Sequence, residues 1–561
     1  MRPRKANGNR KRASRVGTHP APKGEGGGTL TSSLPERESR LLARVRLSGN
    51  QIILIGILAL SLLLRLRFVS VPLERDEGEY AYIAWLMQEG GIPYKDAFNQ
   101  KPPGIFFIYF LVMKLFGFTI EGIHLGMYLW SLGTITFIYL TGSRLFSRRV
   151  GLLAAGIFSV ASISPAFLGT AANTEIFMAF PLAAAAYFAS GFAAGRGASN
   201  LAYLFCGLMV GLATSFKQVA ATDGAFFALV MVLMTLFEGN GGKNLGVRGA
   251  AYALGIVMPW IPILAYFASR GAIREFWQDA LVFNLSYSSI VPLANYPGNF
   301  FRTLRRSLIP YLWPYLVMAL LGLWAALTWR ERERSTWLFL PGWLLFSLLG
   351  TCVGGIFRQH YFIQAMVPLS LLAGLFLAAA TQKIASVPLR LGACTAGVVL
   401  PLLLGFRPFF TYSPDEVSRV IYTGNPFVES KAVAEFVRGN TAEMDRVLIL
   451  GSEPQILFYA RRRSASRYIL TYPLMMAVAG AAERQVEMFQ EASINKPPLI
   501  VVVNVRMSHA YGPWTSNYLF QNLGALVARD YVRIYPTSRT TGAPAIEVYK
   551  HRAGASTSRD L

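Results

Sequence analysis

Eleven apolar runs follow one another between Gln51 and Gly405, and no water-soluble core of ordinary size could absorb them. They are Gln51–Val69, Gly122–Gly142, Gly151–Leu168, Ile176–Ala194, Leu201–Phe216, Ala220–Phe237, Ala250–Phe267, Pro310–Trp329, Trp337–Val353, Phe362–Ala380 and Leu389–Gly405. A bilayer crossing takes about 20 residues as a helix. With 53% hydrophobic and only 15% charged residues, the chain reads as a polytopic α-helical membrane protein.

The charges indicate which way the runs cross. Residues Met1 to Gly49 carry 12 Lys/Arg against 3 Glu, hence +9 of a formal net charge of +24, among Gly, Pro and Ser. That composition buries too little to fold alone, and it is no cleavable signal because a full span follows. It reads as a disordered basic tail held on the cytoplasmic side, a reading that needs no nucleic acid as partner. If the runs alternate from there, the loops with Arg144/Arg148/Arg149, Arg196, Lys243/Arg248, Arg330/Arg332/Arg334 and Lys383/Arg390 all fall inside, as short basic loops do. The condition is that Ile105–Gly117, 13 residues interrupted by Lys114, lies at the outer surface. If it crosses, the count is twelve instead of eleven.

Past Phe406 the chain is polar enough to be soluble. Apolar residues at helical spacing in Val428–Val437, the strand-like Arg446–Gly451, a helical pattern around Met476–Ala492, the strand-like Pro498–Asn504 and Ala545–Tyr549 alternate as in a small α/β domain. The expected organisation is therefore a tail over 1–49, a membrane domain over 50–406 with its first outer loop at 70–121, and an extracytoplasmic α/β domain over 407–561.

That first outer loop opens with four carboxylates, Glu74, Asp76, Glu77 and Glu79, in a strongly basic chain. Joining them on the outer side are Lys101, Asn173, Glu175, Lys217, Trp277, Asp279, Arg358, His360 and Tyr361. Ionisable groups at membrane depth are costly and mark functional pockets by default. A carboxylate there can take a proton from an attacking hydroxyl or amine. Lys101, Lys217, Arg358 and His360 can neutralise a departing lipid phosphate. No Gly-rich phosphate cradle is present, so a lipid-linked donor fits better than a soluble nucleotide. Each residue also has a plainer reading: Asp76 as a helix N-cap, Glu77 and Glu79 as orienting or capping acids, Glu175 and Lys217 as interfacial charges, His360 as part of an aromatic belt. The cysteines Cys206, Cys352 and Cys394 and the scattered histidines form no metal motif.

Arg75-Asp-Glu-Gly-Glu-Tyr-Ala-Tyr, Gly90-Gly-Ile-Pro-Tyr-Lys-Asp and Lys101-Pro-Pro-Gly-Ile-Phe-Phe-Ile-Tyr resemble the first outer loop of the GT-C glycosyltransferases. More narrowly, they are similar to bacterial relatives of the dolichyl-phosphate-mannose protein mannosyltransferases and of the lipid A aminoarabinose transferases. The likeness continues in Asn173-Thr-Glu, Gly211-Leu-Ala-Thr-Ser-Phe-Lys-Gln and His360-Tyr-Phe-Ile-Gln. It implies a bacterial plasma-membrane enzyme moving a sugar from a polyprenyl-phosphate donor to an extracytoplasmic acceptor, usually with inversion. The resemblance places the catalytic carboxylate on Asp76 with Glu77 beside it, a second acidic position on Glu175, and the phosphate-side cations on Lys217, Arg358 or His360. The acceptor is left open between lipid, protein and polysaccharide. No cofactor is certain from the residues, and a divalent cation is left open; Asp76 and Glu175 are the pair that could hold it, and two carboxylates are few for one. The alternatives are a transporter or flippase of lipid-linked sugars, against which no inverted internal repeat is visible, and a glycan-binding scaffold.

Overall fold

The computed structural model describes residues 47–194, 199–237, 241–328, 334–404, 410–536 and 545–555. The tail expected over 1–49 lies outside them except for its last three residues, as do Arg196, Arg330 and Arg332. Described residues from Gly49 onward pack as one compact unit.

Every apolar run named above is helical, but the helices differ in length. Six are long and apolar enough to cross a bilayer: Gly49–Leu66, Ile120–Leu145, Thr174–Ala193, Gln218–Phe237, Leu293–Thr328 and Gln359–Gln382. A seventh span results if Asn244–Val257 and Trp260–Ser269, bent by 41° at the break holding Pro259, count as one. By length and composition six or seven helices among the described residues thus pass as full spans, against the eleven or twelve crossings expected from sequence, and the shorter apolar helices Gly104–Phe116, Asn200–Phe216, Leu338–Cys352 and Val387–Leu400 accompany them. Helix Arg148–Ala161 has 14 residues, about 21 Å of rise against a hydrocarbon core of about 30 Å. Apolar content alone does not reveal where a helix stops. The run over Ile105–Gly117 forms helix Gly104–Phe116, capped by Gly117 at φ 96°, and at about 20 Å it too falls short of a crossing.

The C-terminal region holds a five-stranded sheet in the order β2-β1-β3-β5-β4. Strands β1 (Arg446–Leu450) and β3 (Leu499–Val503) are parallel, paired Val447 to Leu499 and Ile449 to Val501. Apart from the exposed Arg446 that opens β1, their apolar composition suits strands covered on both faces. Strand β2 (Arg463–Ser464) adds one parallel edge. Strand β5 (Ile546–His551) runs antiparallel to β3 and carries β4 (Tyr531–Tyr535) on its far side. The helix expected from Val428–Val437 is Glu429–Gly439, and the one around Met476–Ala492 is Ala481–Asn495.

This sheet region is docked on the loop that follows the first span. Helix Arg75–Gln88, which bears the carboxylates, meets the short helix Gln455–Ala460 that follows β1. Gly78 makes the approach: a Cβ there would lie 2.7 Å from the Gln455 backbone nitrogen. Phe98 N–H donates to Arg467 O and Leu73 N–H to the Tyr459 hydroxyl, tying backbone on one side to the other.

Candidate active site

Helix Arg75–Gln88 begins with a capping box. The Glu74 side chain accepts from Glu77 N–H, and the Glu77 side chain accepts from Glu74 N–H. The cap is thus Glu74, and Asp76 is free of the capping duty open to it on sequence grounds. Side chains three apart share a helix face, so Asp76 and Glu79 look together into a cleft that Glu74, Arg75, Gln100, Lys101, Arg358 and His360 also line.

Glu77 is on another face, and its expected catalytic role does not suit this placement. It is 2% exposed and does not line the cleft. Its Oε1 lies 2.9 Å from His124 Nε2 and accepts from Ala172 N–H at 2.6 Å, while Oε2 is used by the capping box. A carboxylate with both oxygens spent on structure has none left for a substrate.

Asp76 keeps 29% of its side chain exposed and faces the Lys101 ammonium at 3.5 Å. Burial alone would raise its pKa, but Lys101, with His360, outweighs that and holds the carboxyl below its ordinary range. Glu79 goes the other way: burial and then the neighbouring Asp76 push it up to about 8. At neutral pH the cleft therefore carries an ionised Asp76 beside a protonated Glu79, with the capping Glu74 also pushed up by burial, a division suited to acid–base work. Lys101 is raised well above its usual value because Asp76 and its neighbours outweigh the burial that opposes them. Arg358 is exposed, and its side chain makes no hydrogen bond or ion pair among the described residues.

Behind the cleft lies a second, more apolar pocket, with Leu281, Leu285, Val353 and Ile356 in its wall. Tyr287 and Tyr361 border both. At the boundary Glu175, 1% exposed, is ion-paired with Lys217 and has His360 Nε2 at 3.7 Å. The Lys217 ammonium also sits 3.5 Å above the centre of the Tyr361 ring. Of the residues singled out from sequence, Asp76, Lys101, Arg358 and His360 meet in the cleft, and Glu175 and Lys217 line the adjoining pocket. Asp279 is elsewhere, paired with Arg467 of the sheet region, and Trp277 is 60% exposed.

Among the described residues no three His, Cys, Asp or Glu side chains gather as metal ligands would. Asp76 and Glu175 each face a lysine ammonium already, so this pair does not suit a divalent cation.

Sequence reasoning passed over three groups. Arg75 donates to Ser452 O at 2.7 Å, the Tyr472 hydroxyl at 2.9 Å, Asn425 Oδ1 at 3.1 Å and Glu453 Oε1 at 3.1 Å. It pins the residue next to Asp76 to the end of β1. Glu79, which from sequence reads as an orienting or capping acid, faces the cleft. Asp223, fully buried inside the span Gln218–Phe237, accepts from Trp343 Nε1 and Ser347 Oγ, both at 2.6 Å, and from Gln364, which lines the second pocket. A carboxylate within an apolar span, here in the first turn of helix Ala221–Phe237, was itself the missed signal.

The helices, the acidic loop after the first span and the appended sheet together make a GT-C fold. The chain superposes on ArnT from Cupriavidus metallidurans bound to undecaprenyl phosphate with a TM-score of 0.55 at 14% identity, covering 90% of this chain and 98% of that one. The Archaeoglobus fulgidus oligosaccharyltransferase tethered with an acceptor peptide containing the NVT sequon gives 0.50 at 13% identity, over 88% and 74%. The arabinofuranosyltransferase AftD from Mycobacteria gives 0.52 at 14% identity, over 89% of this chain and 40% of that one. Residues 100–265 match the family described as dolichyl-phosphate-mannose-protein mannosyltransferase. That segment holds Lys101, Glu175 and Lys217 but begins after Asp76. No curated protein sequence matches the chain.

Proposed function

We propose that this chain is a glycosyltransferase that moves a sugar from a polyprenyl-phosphate donor to an acceptor on the extracytoplasmic face, with inversion at the anomeric carbon. The observation that carries this reading is the join between two unlike spaces: a charged cleft with an ionised carboxylate and an unpaired guanidinium, and an apolar pocket directly behind two shared tyrosines. A prenyl chain suits the second and a sugar phosphate the first. The solved structure of ArnT holds undecaprenyl phosphate, which agrees with a donor of that class.

In this mechanism Asp76 takes the proton of the acceptor hydroxyl or amine as that atom attacks the anomeric carbon. The bond from that carbon to the phosphate oxygen breaks, and Arg358 with Lys101 balances the charge left on the phosphate. Glu175 fixes Lys217 and His360 at the boundary of the two spaces. Buried polar atoms without partners among the described residues, Glu79 Oε1, Gln100 Oε1 and His360 Nδ1, line the same cleft. Each costs about 1–3 kcal/mol unless a ligand or water pairs with it, as a sugar's hydroxyls would.

The basic groups Arg148, Arg149, Lys383 and Arg390 belong to helix ends opposite the carboxylates, which supports a cytoplasmic N-terminus in a bacterial plasma membrane with the cleft and the α/β domain over 407–561 outside. The acceptor is a lipid, a protein or a polysaccharide.

The test is transfer of labelled sugar from a panel of polyprenyl-phosphate sugars by membranes holding the wild type or Asp76→Asn at equal abundance. The substitution is expected to lower transfer by about 10²–10⁴-fold. Unchanged transfer would remove Asp76 from the mechanism. Label that crosses the bilayer still joined to its lipid would make the protein a flippase.

A further inference from the structure

A groove of about 600 Å³ runs along the outside of the membrane helices, between the first span Gly49–Leu66, helix Arg148–Ala161 and helix Val387–Leu404. These three helices begin at the same end. Arg65, near the end of the first span, bonds Ser159 O and the Ser162 hydroxyl at the end of Arg148–Ala161, so the two run parallel, and Arg67 meets Tyr412 shortly after the third. Their starts therefore lie a span away from the carboxylates of the cleft.

The groove is charged at one end and apolar along its length. Arg149 and Arg390 stand at the start of the second and third helices, and no carboxylate lines the groove. The Arg390 side chain makes no hydrogen bond or ion pair among the described residues, and Arg149 spends one nitrogen on Thr381 and Cys394. Below them Ile53, Ile57 and Leu60 form one face of the first span, opposite Val398 of the third helix. From Asn50 to Leu60 is ten residues, about 15 Å of helix, or half of a hydrocarbon core of about 30 Å. Two half-buried guanidiniums at the mouth of a cavity one leaflet deep, with apolar walls below, match an anionic headgroup carrying acyl chains. Basic pockets between spanning helices are known headgroup sites of this kind, and the three helix N-termini add to the positive field.

We propose that this groove binds an anionic glycerophospholipid of the leaflet opposite the cleft, its phosphate against Arg149 and Arg390 and an acyl chain along the first span. The first span makes few inward contacts of its own, being only 11% buried. A lipid filling the groove completes its packing against Val387–Leu404.

The experiment uses the full chain purified in mild detergent, with native mass spectrometry after addition of phosphatidylglycerol, phosphatidylcholine or a polyprenyl monophosphate. The wild type is expected to retain phosphatidylglycerol at least about tenfold better than phosphatidylcholine. Arg390→Gln is expected to remove that preference, and Thr395→Trp, which fills the groove without touching charge, to displace the lipid. Arg358→Gln, in the cleft, is expected to leave phosphatidylglycerol retention unchanged. Equal retention of both phospholipids by the wild type, undiminished retention by Arg390→Gln and Thr395→Trp, loss in Arg358→Gln, or displacement of phosphatidylglycerol by polyprenyl monophosphate would each overturn the assignment. Loss of sugar transfer in Asp76→Asn does not bear on it, so the two readings fail separately.

Discussion

Glu79 gives the sharpest quantitative test of the cleft. The side chain is 2% exposed, and burial, followed by repulsion from Asp76, lifts its pKa from an ordinary 4.5 to about 8. The folded protein therefore keeps a proton that the unfolded chain releases between those values, and stability falls as pH rises through the window. At about 1.36 kcal/mol per pH unit, the full loss is on the order of 5 kcal/mol once pH exceeds 8. Glu79→Gln copies the protonated acid in shape and charge, so it removes the penalty. In detergent, wild type and variant are expected to melt close together at pH 4, below the unfolded value, and to have begun to separate by pH 6. At pH 9 the variant should melt higher, by about 5–10 °C if 1 kcal/mol is worth roughly 1–2 °C in a chain this long. At pH 7 the variant should also keep most of its sugar transfer, since the wild-type side chain is already neutral there. If the melting difference between variant and wild type is the same at pH 4 and pH 9, Glu79 does not hold a proton in the folded state, and the division of labour between the two carboxyls is wrong.

Other substitutions separate structure from chemistry. Arg75→Met leaves the buried Glu453 carboxylate without its cation and is expected to cost about 3–5 kcal/mol, read as faster hydrogen exchange in the loops after β1; pairing it with Glu453→Gln should recover part of that, and strictly additive losses would deny the coupling. Gly78→Ala forces a Cβ to 2.7 Å from the Gln455 nitrogen, and about 1–3 kcal/mol of destabilisation is expected, with a wild-type melting point as the contrary result. Lys217→Met strands Glu175 and should abolish folded yield or transfer, while the double change Lys217→Met with Glu175→Gln should restore yield without restoring transfer. A double variant with full activity would make the pair purely structural.

What could be read from the residues alone was what depends on local pattern. Every apolar run became a helix, and the strands β1, β3 and β5 fell where alternation and β-branched content put them. The two-residue β2 carries no pattern, and β4, Tyr-Val-Arg-Ile-Tyr, has one exposed arginine in a short run whose meaning comes only from its pairing with β5. Span number was less legible than span position, because whether a 14- or 17-residue helix crosses depends on what surrounds its ends. Within the acidic stretch, sequence located the carboxylates but not their faces. Once the helix is capped by Glu74 instead of Asp76 and starts at Arg75, the 100° step between neighbours turns Glu77 into the protein and leaves Asp76 and Glu79 in the cleft.

The join between Arg75 and the end of β1 bears on why an α/β domain is present at all. In open sheets with parallel strands, ligands sit beyond the carboxyl ends of the strands where neighbouring connections diverge. Here β1 lies between β2 and β3, and the groups beyond its end are Ser452 and Glu453, with Ser508 from beyond β3 donating to the Glu453 carboxylate. Arg75 occupies the place that a ligand of such a sheet would take. The domain has thus given its own binding end to the helix that carries Asp76, and it offers Tyr472, Met476 and Met507 to the cleft wall instead. Any movement of the sheet pulls on the residue adjacent to Asp76, so docking of the domain and placement of the carboxylate are one structural event. An acceptor that contacts the domain wall therefore bears on the position of Asp76 through Arg75, without needing to touch the membrane helices.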